Sequence, residues 1–204
     1  MPNAHLALDL GASSGRATIG VLDGHPRKLE MVELHRFEHL PCPTPAGPVW
    51  DLTGIWLHIL TGLRSAGQWC REHDATLVSV GVDAWGVDWA LVGESGELLG
   101  LPHCYRDPQN VAAAERIRSL AGGKQALYQR TGIQHMPINT LFQVAARYEK
   151  EPGMFAAASR LLFVPDLFHY WLSGKRVNEQ TIASTSEMLS VDTGQWDTQL
   201  LQQL

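Results

Sequence analysis

The feature that most restricts the fold of this chain is a short glycine-rich segment, residues 11–15, that lies between two strand-like segments. Residues 5–9 before it are apolar enough for a buried strand, and residues 16–22 after it alternate between polar and apolar side chains. The Gly-x-Gly-x-x-Gly and Gly-x-x-x-x-Gly-Lys-Ser/Thr fingerprints of nucleotide-binding folds both need a helix after their glycines, and neither pattern occurs here. The sequence therefore excludes the Rossmann and P-loop folds.

The first half of the chain predicts an α/β fold whose mixed sheet begins with a three-stranded antiparallel meander. After the turn dipeptide Asp23-Gly24, residues 28–37 form the third strand. A proline-rich loop at residues 40–49 leads to Asp51, which caps an amphipathic helix with apolar residues at three- and four-residue intervals. Residues 76–82 then form a short apolar run that is typical of a buried central strand.

The second half is predicted to be mainly helical after one hairpin, which residues 89–92 and 97–101 form around a glycine-containing turn. Thr140 is expected to cap one of the helices, and glycines end several of them. The predicted helices are residues 111–120, 124–130, 141–150, 163–172 and 195–204.

Composition narrows the class of function. Apolar residues make up 45% of the chain and charged residues 18%, which is typical of a globular protein with a packed core. The net charge of −5 disfavours a protein that binds nucleic acid, and no apolar run is long enough to cross a membrane. The N-terminus has no basic segment of the kind found in signal peptides, and three widely spaced cysteines form no disulfide framework. We therefore expect a cytoplasmic enzyme or binding domain, with no nucleic acid and no membrane as a partner.

The glycine-rich loop is the first candidate site, because small residues between two strands let backbone N–H groups converge on an anion. Two hydroxyls add donors, and a neighbouring arginine neutralises phosphate charge. Asp9, at the end of the first strand, is placed to hold a hydrated Mg²⁺ beside those phosphates. The alternative is an ordinary hairpin in which Asp9 bonds to the turn amides. The candidate phosphate-binding residues are Ala12, Ser13, Ser14, Gly15 and Arg16.

The segment that follows the predicted central strand is the second candidate site, because ligands of α/β proteins collect at the carboxyl ends of strands. The carboxylate of Asp88 accepts hydrogen bonds from sugar hydroxyls, and the indole face of Trp85 suits the apolar side of a sugar ring. Gly86 lets the backbone come close to a ligand. The alternative interpretation is a pair of core tryptophans flanked by solvated aspartates.

Three residues are weaker candidates for the same site. Arg106 and Asp107 supply donors and acceptors to a ligand, or they form a structural ion pair. Asn139 contacts a polyol, or it caps the next helix.

Other catalytic chemistries find little support in the sequence. The histidines and cysteines lack the spacing of zinc ligands, and no Gly-x-Ser-x-Gly motif of a serine hydrolase is present. The pair His73-Asp74 precedes the strand and is assigned to a surface loop.

Taken together, these segments resemble the FGGY family of carbohydrate kinases, whose domains have the actin-like, ribonuclease H-like ATPase fold. Residues 9–16 are similar to the family's first phosphate loop, and residues 82–88 to its sugar-contacting segment. The similar segments follow the family's order from residue 5 to about residue 200. The other similar segments are residues 100–107, 128–134, 139–141, 165–168, 172–174, 178–179, 183–186 and 195–197.

The resemblance implies a sheet with helices on both faces, ATP and Mg²⁺ as cofactors, and a ketose, L-rhamnulose, as the substrate. It implies that Ala12 to Arg16 contact the phosphates and that Asp9 orients the metal ion. It also implies that Trp85, Gly86 and Asp88 hold the sugar. Two alternatives remain open, namely a kinase of another ketose such as L-fuculose or xylulose, and a noncatalytic module that binds a sugar or a nucleotide.

The sequence departs from the family pattern in two respects. Ala84 stands where a threonine is usual, which removes one hydroxyl near the sugar. In addition, residues 1–204 resemble most of an N-terminal kinase domain and nothing beyond it. The general-base aspartate and the adenine-binding C-terminal domain are expected beyond Leu204, so this chain holds no catalytic residue of its own. We therefore expect the isolated chain to lack kinase activity and to self-associate through uncovered apolar surface.

Overall fold

The structure, a computed structural model, describes residues 1–23 and 28–204. It contains the predicted antiparallel meander, formed by β1 (Asn3–Leu10), β2 (Ser14–Asp23) and β3 (Lys28–Glu38). Side chains of β1 alternate between buried and exposed positions, because a pleated strand that is covered on one face buries every second residue. Gly24, in the predicted turn, lies outside the described residues.

Helix α1 (Leu52–Glu72) covers one face of this meander. Asp51 caps the helix as predicted, because its side chain accepts a hydrogen bond of 2.8 Å from the backbone N–H of Gly54. The apolar stripe of the helix, which includes Ile55 and Ile59, is buried against the strands. The helix ends where Ala75 leads the chain back into the sheet, and the first hydrophobic core lies between the two layers.

Two glycines of α1 give a matched test of this packing. A Cβ on Gly62 would lie 2.6 Å from the Cβ of Ala17 on β2, whereas a Cβ on Gly67 would meet only the flexible end of Arg71, at 3.7 Å. We expect Gly62→Ala to lower the free energy of unfolding by about 1–3 kcal/mol, because overpacking outweighs the gain in helix propensity. Gly67→Ala should instead raise it by about 0.5–1 kcal/mol. Urea denaturation of both variants checks the prediction, and equal effects would contradict it.

Strand β6 (Thr76–Ala84) pairs in parallel with β1, which gives the sheet the order β3-β2-β1-β6. The prediction of a buried central strand is wrong in the described part of the chain, because β6 lies at the sheet edge and Val78 is 47% exposed. Within residues 1–23 and 28–204, helices cover one face of the sheet only. The other face, which carries His5 and Ala7, is exposed there.

The proline-rich loop contains a small antiparallel pair that the sequence did not predict, formed by β4 (Cys42–Thr44) and β5 (Gly47–Val49). The hydroxyl of Thr44 donates a hydrogen bond of 2.6 Å to the carbonyl of Gly47 and closes the turn between these strands. Three-residue strands are too short to show the alternation that identifies longer ones, which is why the sequence pattern missed them.

The predicted hairpin of residues 89–92 and 97–101 forms only near its turn, where the N–H groups of Gly93 and Leu99 donate hydrogen bonds of 2.9 Å to the carbonyls of Glu97 and Leu91. The longer pairing of its first strand was not predicted. Strand β7 (Trp89–Val92) pairs antiparallel with β8 (Arg160–Phe163), about 70 residues later in the chain. Residues 97–101 reach β7 through the isolated bridge between Leu98 and Val92. All four residues of β7 are buried, and the core that β7 shares with β8 explains this second, longer pairing.

The helices of the second half follow the predictions closely where they are long. The structure confirms four of the predicted helices with small changes at their ends, whereas residues 195–204 contain a single helical turn that Asp197 caps. Two short helices were not predicted, because five or six residues carry no helical period. The helices are α2 (Gln109–Leu120), α3 (Lys124–Thr131), α4 (Thr140–Lys150), α5 (Pro152–Ala157), α6 (Val164–Ser173), α7 (Gln180–Ser184) and α8 (Thr198–Leu201).

These helices build a second hydrophobic core around β7 and α4. It adjoins the first core, which lies between the sheet and α1. The carboxyl end of β6 and the N-terminus of α4 meet where the two cores adjoin, since Thr140 at the start of α4 bonds to Val87 just after β6. None of the helices in the described ranges combines the length and apolar character needed to span a bilayer.

Candidate functional site

The two loops that the sequence singled out lie side by side. Strands β1 and β6 run in parallel, and their last residues, Leu10 and Ala84, are register partners. The backbone N–H of Trp85 then donates a hydrogen bond of 2.9 Å to the carbonyl of Leu10. Both loops therefore follow the carboxyl ends of adjacent strands, which is where ligands bind in open α/β sheets.

The glycine-rich loop is a tight turn, closed by a hydrogen bond of 2.8 Å from the Gly11 N–H to the Ser14 carbonyl. Gly15 is required by packing, because a Cβ there would overlap the ring of Phe37. Ser13 lies exposed at the tip, and Arg16 is exposed at the start of β2. The loop thus presents its polar groups outward, as an anion-binding turn requires.

Asp9 and Arg16 face each other across β1 and β2, and their side chains form an exposed ion pair of 2.5 Å. On the other side of Asp9, its register partner on β6 is Asp83. Mg²⁺ prefers carboxylate oxygens and keeps several of its waters, so two neighbouring carboxylates at the strand ends fit a hydrated ion. Asp9 and Asp83 are therefore two carboxylates, in the part of the chain that the structure describes, that could hold a hydrated Mg²⁺.

Asp88 is the most enclosed carboxylate of the site. It is fully buried, and its Oδ2 accepts hydrogen bonds from the indole N–H groups of Trp50, at 2.5 Å, and Trp85, at 2.9 Å. Burial raises the pKa of Asp88 to about 7, against these two hydrogen bonds, which lower it. In this conformation the carboxylate holds the two indoles in place, with their ring centroids 4.5 Å apart, and does not reach the open surface.

Gly86 lies beside this arrangement of Asp88 with the two indoles, which we call the indole clamp, and has free space next to its Cα. A Cβ added there would have the Thr185 hydroxyl, 3.8 Å away, as its nearest contact, so packing of the described chain does not explain the glycine. Thr185 lines an adjoining polar cleft of about 330 Å³. The polar residues that line the cleft are Asp83, Asp166, His169, Glu179, Thr181 and Thr185.

Asp166 gives this cleft an unusual donor and acceptor pattern. One carboxylate oxygen accepts the Glu179 N–H at 3.2 Å, and the other has no hydrogen-bond partner within residues 1–23 and 28–204. Burial raises the pKa of Asp166 to about 6. Carboxylates and hydroxyls that converge on one cleft suit a neutral ligand with several hydroxyl groups.

The bend that carries Gly86 is held under backbone strain. Val87 has φ +69°, a left-handed conformation that is costly for a β-branched residue. Its carbonyl accepts hydrogen bonds from the Thr140 hydroxyl at 2.7 Å and from the Gln143 side chain at 3.1 Å. Strain of this kind persists where the surroundings fix it, and it clusters at functional sites.

The weaker candidates lie around the same bend. Arg106 is exposed, and its Nε donates to the Tyr105 hydroxyl. Asp107 is buried, and its carboxylate accepts hydrogen bonds from Gln109 and pairs with His103 at 3.0 Å. These contacts are structural, so of the two residues only Arg106 has its charge at the surface.

Asn139 is 1% exposed and donates hydrogen bonds to the carbonyl of Gln134 and to Glu187. Asn139, rather than the predicted Thr140, occupies the cap position of α4, although its side chain makes no capping bond. Of the sugar-site candidates, the structure thus buries Asp88, Asp107 and Asn139 in hydrogen bonds within the protein.

Sequence reasoning missed two residues that join the loops. Trp50 shares the Asp88 carboxylate with Trp85, and His39 lies between the loops, with its backbone N–H bonded to the Ser13 carbonyl. The His39 ring lies 5.2 Å from that of Trp85, and burial lowers its pKa. No local motif marks these residues, because their partners lie tens of residues away in the sequence.

Comparison with known proteins agrees with this architecture. Residues 4–204 match the N-terminal domain of the FGGY family of carbohydrate kinases. The chain is 38% identical over 199 residues to a rhamnulokinase of Pectobacterium carotovorum and 37% identical over 196 residues to one of Yersinia pestis. These matches cover 98% and 96% of the chain but 39% of each relative, so the chain spans about two fifths of their length.

Solved structures show the same fold at much lower sequence identity. A xylulose kinase and a gluconate kinase of Lactobacillus acidophilus superpose with TM-scores of 0.80 and 0.83 at 16% and 17% identity. They cover 98% and 99% of this chain, which spans 39% of each of them. The fold is thus that of the actin-like ATPase domains found in sugar kinases. The chain belongs to the FGGY family of carbohydrate kinases and is similar to rhamnulokinases within it.

Proposed function

We propose that residues 1–204 form most of the N-terminal domain of an ATP-dependent ketose kinase that phosphorylates L-rhamnulose. The observation that carries the proposal is the position of the two loops at the ends of adjacent parallel strands, joined by the hydrogen bond from Trp85 to Leu10. A phosphoryl donor on one loop and an acceptor on the other would lie within reach of each other. The similarity to rhamnulokinases supports L-rhamnulose as the acceptor.

The glycine-rich loop would bind the phosphates of ATP. Backbone N–H groups of Ala12 to Gly15 and the hydroxyls of Ser13 and Ser14 would donate hydrogen bonds to the phosphate oxygens, and Arg16 would supply positive charge once it leaves Asp9. Mg²⁺ held by Asp9 and Asp83 would neutralise the charge that develops on the transferred group. Most of the rate acceleration in phosphoryl transfer comes from such positioning and charge stabilisation.

The bend after β6 and the adjoining cleft would bind the ketose. Gly86 leaves room for the sugar ring, and Trp85, whose position Asp88 fixes, would cover one side of that ring. Asp166 and Thr185 line the cleft and can accept or donate hydrogen bonds to sugar hydroxyls. The acceptor hydroxyl attacks the γ-phosphorus, ADP leaves, and the hydroxyl proton passes to an aspartate that we place in the polypeptide after Leu204.

Ligand titration tests this function directly. We expect L-rhamnulose to shift the NMR resonances of Gly86 and Thr185 in the 204-residue chain and to bind more tightly than L-fuculose or xylulose. ATP should shift Ser13 and Ser14. If the chain binds xylulose more tightly, xylulose rather than L-rhamnulose is the proposed substrate. If the longer polypeptide binds the sugar but releases no ADP, the protein is a noncatalytic binding module.

We also propose that the chain is inactive by itself, because it would lack the general base and the adenine-binding domain. A coupled assay for ADP release should give no signal above background with purified residues 1–204 and L-rhamnulose. Sustained turnover in that assay would contradict the proposal that the chain lacks the general base, and also the assignment of the chain to the N-terminal domain alone.

The uncovered face of the sheet predicts self-association of the isolated chain. It carries a groove of about 490 Å³ that Leu29 and Met31, which are 58% and 64% exposed, line together with small residues of β1 and β6. Apolar surface of this kind lowers its free energy by pairing. We expect the elution volume in size-exclusion chromatography to fall with concentration, and Met31→Lys to suppress this change. A concentration-independent monomer would contradict the prediction.

A further inference from the structure

Glu187 is a buried carboxylate to which neither the loops nor the cleft assigns a role. It is fully buried just after α7, and its Oε2 accepts a hydrogen bond of 2.8 Å from the Asn139 side chain. Its Oε1 has no hydrogen-bond partner among the described residues, although His135 Nδ1 lies 3.5 Å away. Burial raises the pKa of Glu187 to about 7, while Asn139 and the charge of Arg118 act to lower it. Burying a carboxylate is unfavourable, so its position calls for an explanation.

The contacts of Glu187 lead to the bend that carries Gly86. Asn139 begins α4, and the next residue, Thr140, donates its hydroxyl to the carbonyl of Val87. The backbone N–H of Leu141 donates a hydrogen bond of 3.0 Å to the carbonyl of Ser186, next to Glu187. The start of α4 is therefore held between the Glu187 segment on one side and the bend on the other.

Backbone strain marks both sides of this junction. Within the described residues, the non-glycine residues with positive φ are Asp74, Val87 and Glu187, at +48°, +69° and +62°. Val87 and Glu187 flank the start of α4, whereas Asp74 lies in the turn after α1. Two strained residues that contact the same helix end indicate that the hydrogen bonds between them fix a conformation that neither residue would adopt alone.

We propose that Glu187 is a positioning residue that acts through Asn139 and Thr140 to hold the Gly86–Val87 bend in its strained conformation. The link from Glu187 to Val87 is independent of any ligand. Its consequence for the ketose rests on the proposed function, because that function places the sugar at Gly86. Glu187 itself does not contact the sugar, since Asn139 and Thr140 lie between its carboxylate and the bend.

The experiment compares Glu187→Ala with Glu187→Gln in the 204-residue chain. We measure the φ of Val87 by NMR scalar couplings and the amide exchange rate of Leu141. Glu187→Ala should release Val87 from its left-handed conformation and speed exchange at Leu141 roughly tenfold, as expected when one buried hydrogen bond is lost. Glu187→Gln should preserve both, because its amide oxygen still accepts from Asn139.

The control is Ile59→Val, which lowers stability through the core under α1 and touches none of these residues. It should leave the φ of Val87 unchanged and the exchange at Leu141 close to that of the parent chain. If Glu187→Ala changes nothing beyond this control, or if Glu187→Gln fails as Ala does, the positioning role is overturned. Should Glu187→Ala not fold, Thr140→Val is the second variant, because it removes the hydrogen bond from the Thr140 hydroxyl to the Val87 carbonyl. An unchanged φ of Val87 in that variant would equally overturn the proposal.

L-Rhamnulose affinity separates this inference from the proposed function. We expect Glu187→Ala to weaken binding roughly tenfold and Glu187→Gln to restore it, as loss of one hydrogen bond that fixes a binding segment predicts. If Val87 changes as expected but the affinity is the same in every variant, Glu187 does position the bend, and the assignment of the sugar to Gly86 is wrong.

Discussion

Replacing Asp88 by alanine should lower the free energy of unfolding by about 3–5 kcal/mol, the largest stability effect that we expect from one substitution in this chain. The change leaves the indole N–H groups of Trp50 and Trp85 buried without an acceptor, and each such group costs about 1–3 kcal/mol. It also opens a cavity between the two hydrophobic cores. Since total stabilities are about 5–15 kcal/mol, this loss is a large part of the stability of the chain.

Chemical denaturation measures this loss, and Asp83→Ala is the matched control. Asp83 lies five residues earlier, at the end of β6, and is exposed. Its removal should change the stability by less than about 0.5 kcal/mol. A loss below about 1 kcal/mol for Asp88→Ala would mean that the indoles find other acceptors and that the indole clamp is not structural.

The pH dependence of the same site has a definite sign. The folded protein raises the pKa of Asp88 to about 7, so it binds this proton more tightly than the unfolded chain does. The stabilisation is complete below the ordinary aspartate pKa and is lost as the pH rises towards 7. Relative to Asp88→Asn, which keeps an acceptor and does not titrate, the wild-type chain should lose on the order of 4 kcal/mol between pH 4 and pH 7. A constant difference between the two proteins would show that Asp88 does not titrate in this range.

Substitution of Gly86 should have the largest effect on ligand binding at the least cost in stability. The nearest atom to an added Cβ lies 3.8 Å away, so Gly86→Ala should change the free energy of unfolding by less than about 0.5 kcal/mol. The methyl group enters the space that the proposed function gives to the ketose. We therefore expect L-rhamnulose affinity to fall roughly tenfold, and further for Gly86→Val, because a steric clash at a binding surface costs at least about 1–3 kcal/mol.

Gly81→Ala is the control for this experiment, because Gly81 lies on β6, five residues before Gly86, and a Cβ there meets nothing within 4 Å. It should leave the affinity unchanged and raise the free energy of unfolding by at most about 1 kcal/mol, because alanine is favoured over glycine inside a strand. Titration calorimetry with L-rhamnulose, together with denaturation of the three variants, gives the required comparison. If Gly86→Val binds L-rhamnulose as tightly as the parent chain does, the sugar does not bind at this bend.

Local patterns predicted much of the fold. Alternation identified the strands of the meander, and the cap at Asp51 with its apolar stripe identified α1, because these signals depend on near neighbours in the sequence. The motif order pointed to the FGGY family and to both loops. Patterns of this kind failed at β4 and β5, which are too short. They also missed β8 as a second partner of β7, because that pairing depends on a shared core.

The sequence by itself determined which residue types stand at the two loops, and hence the family and the class of chemistry that they suit. Only the tertiary structure decided what each side chain does there. It enclosed Asp88 between two indoles, left Gly86 open beside a polar cleft, and linked Glu187 to the strained bend through α4. The physical reason is sequence separation: the hydrogen bonds from Trp50 to Asp88, from Asn139 to Glu187 and from Thr140 to Val87 join residues 38, 48 and 53 positions apart, and no local period records such distances.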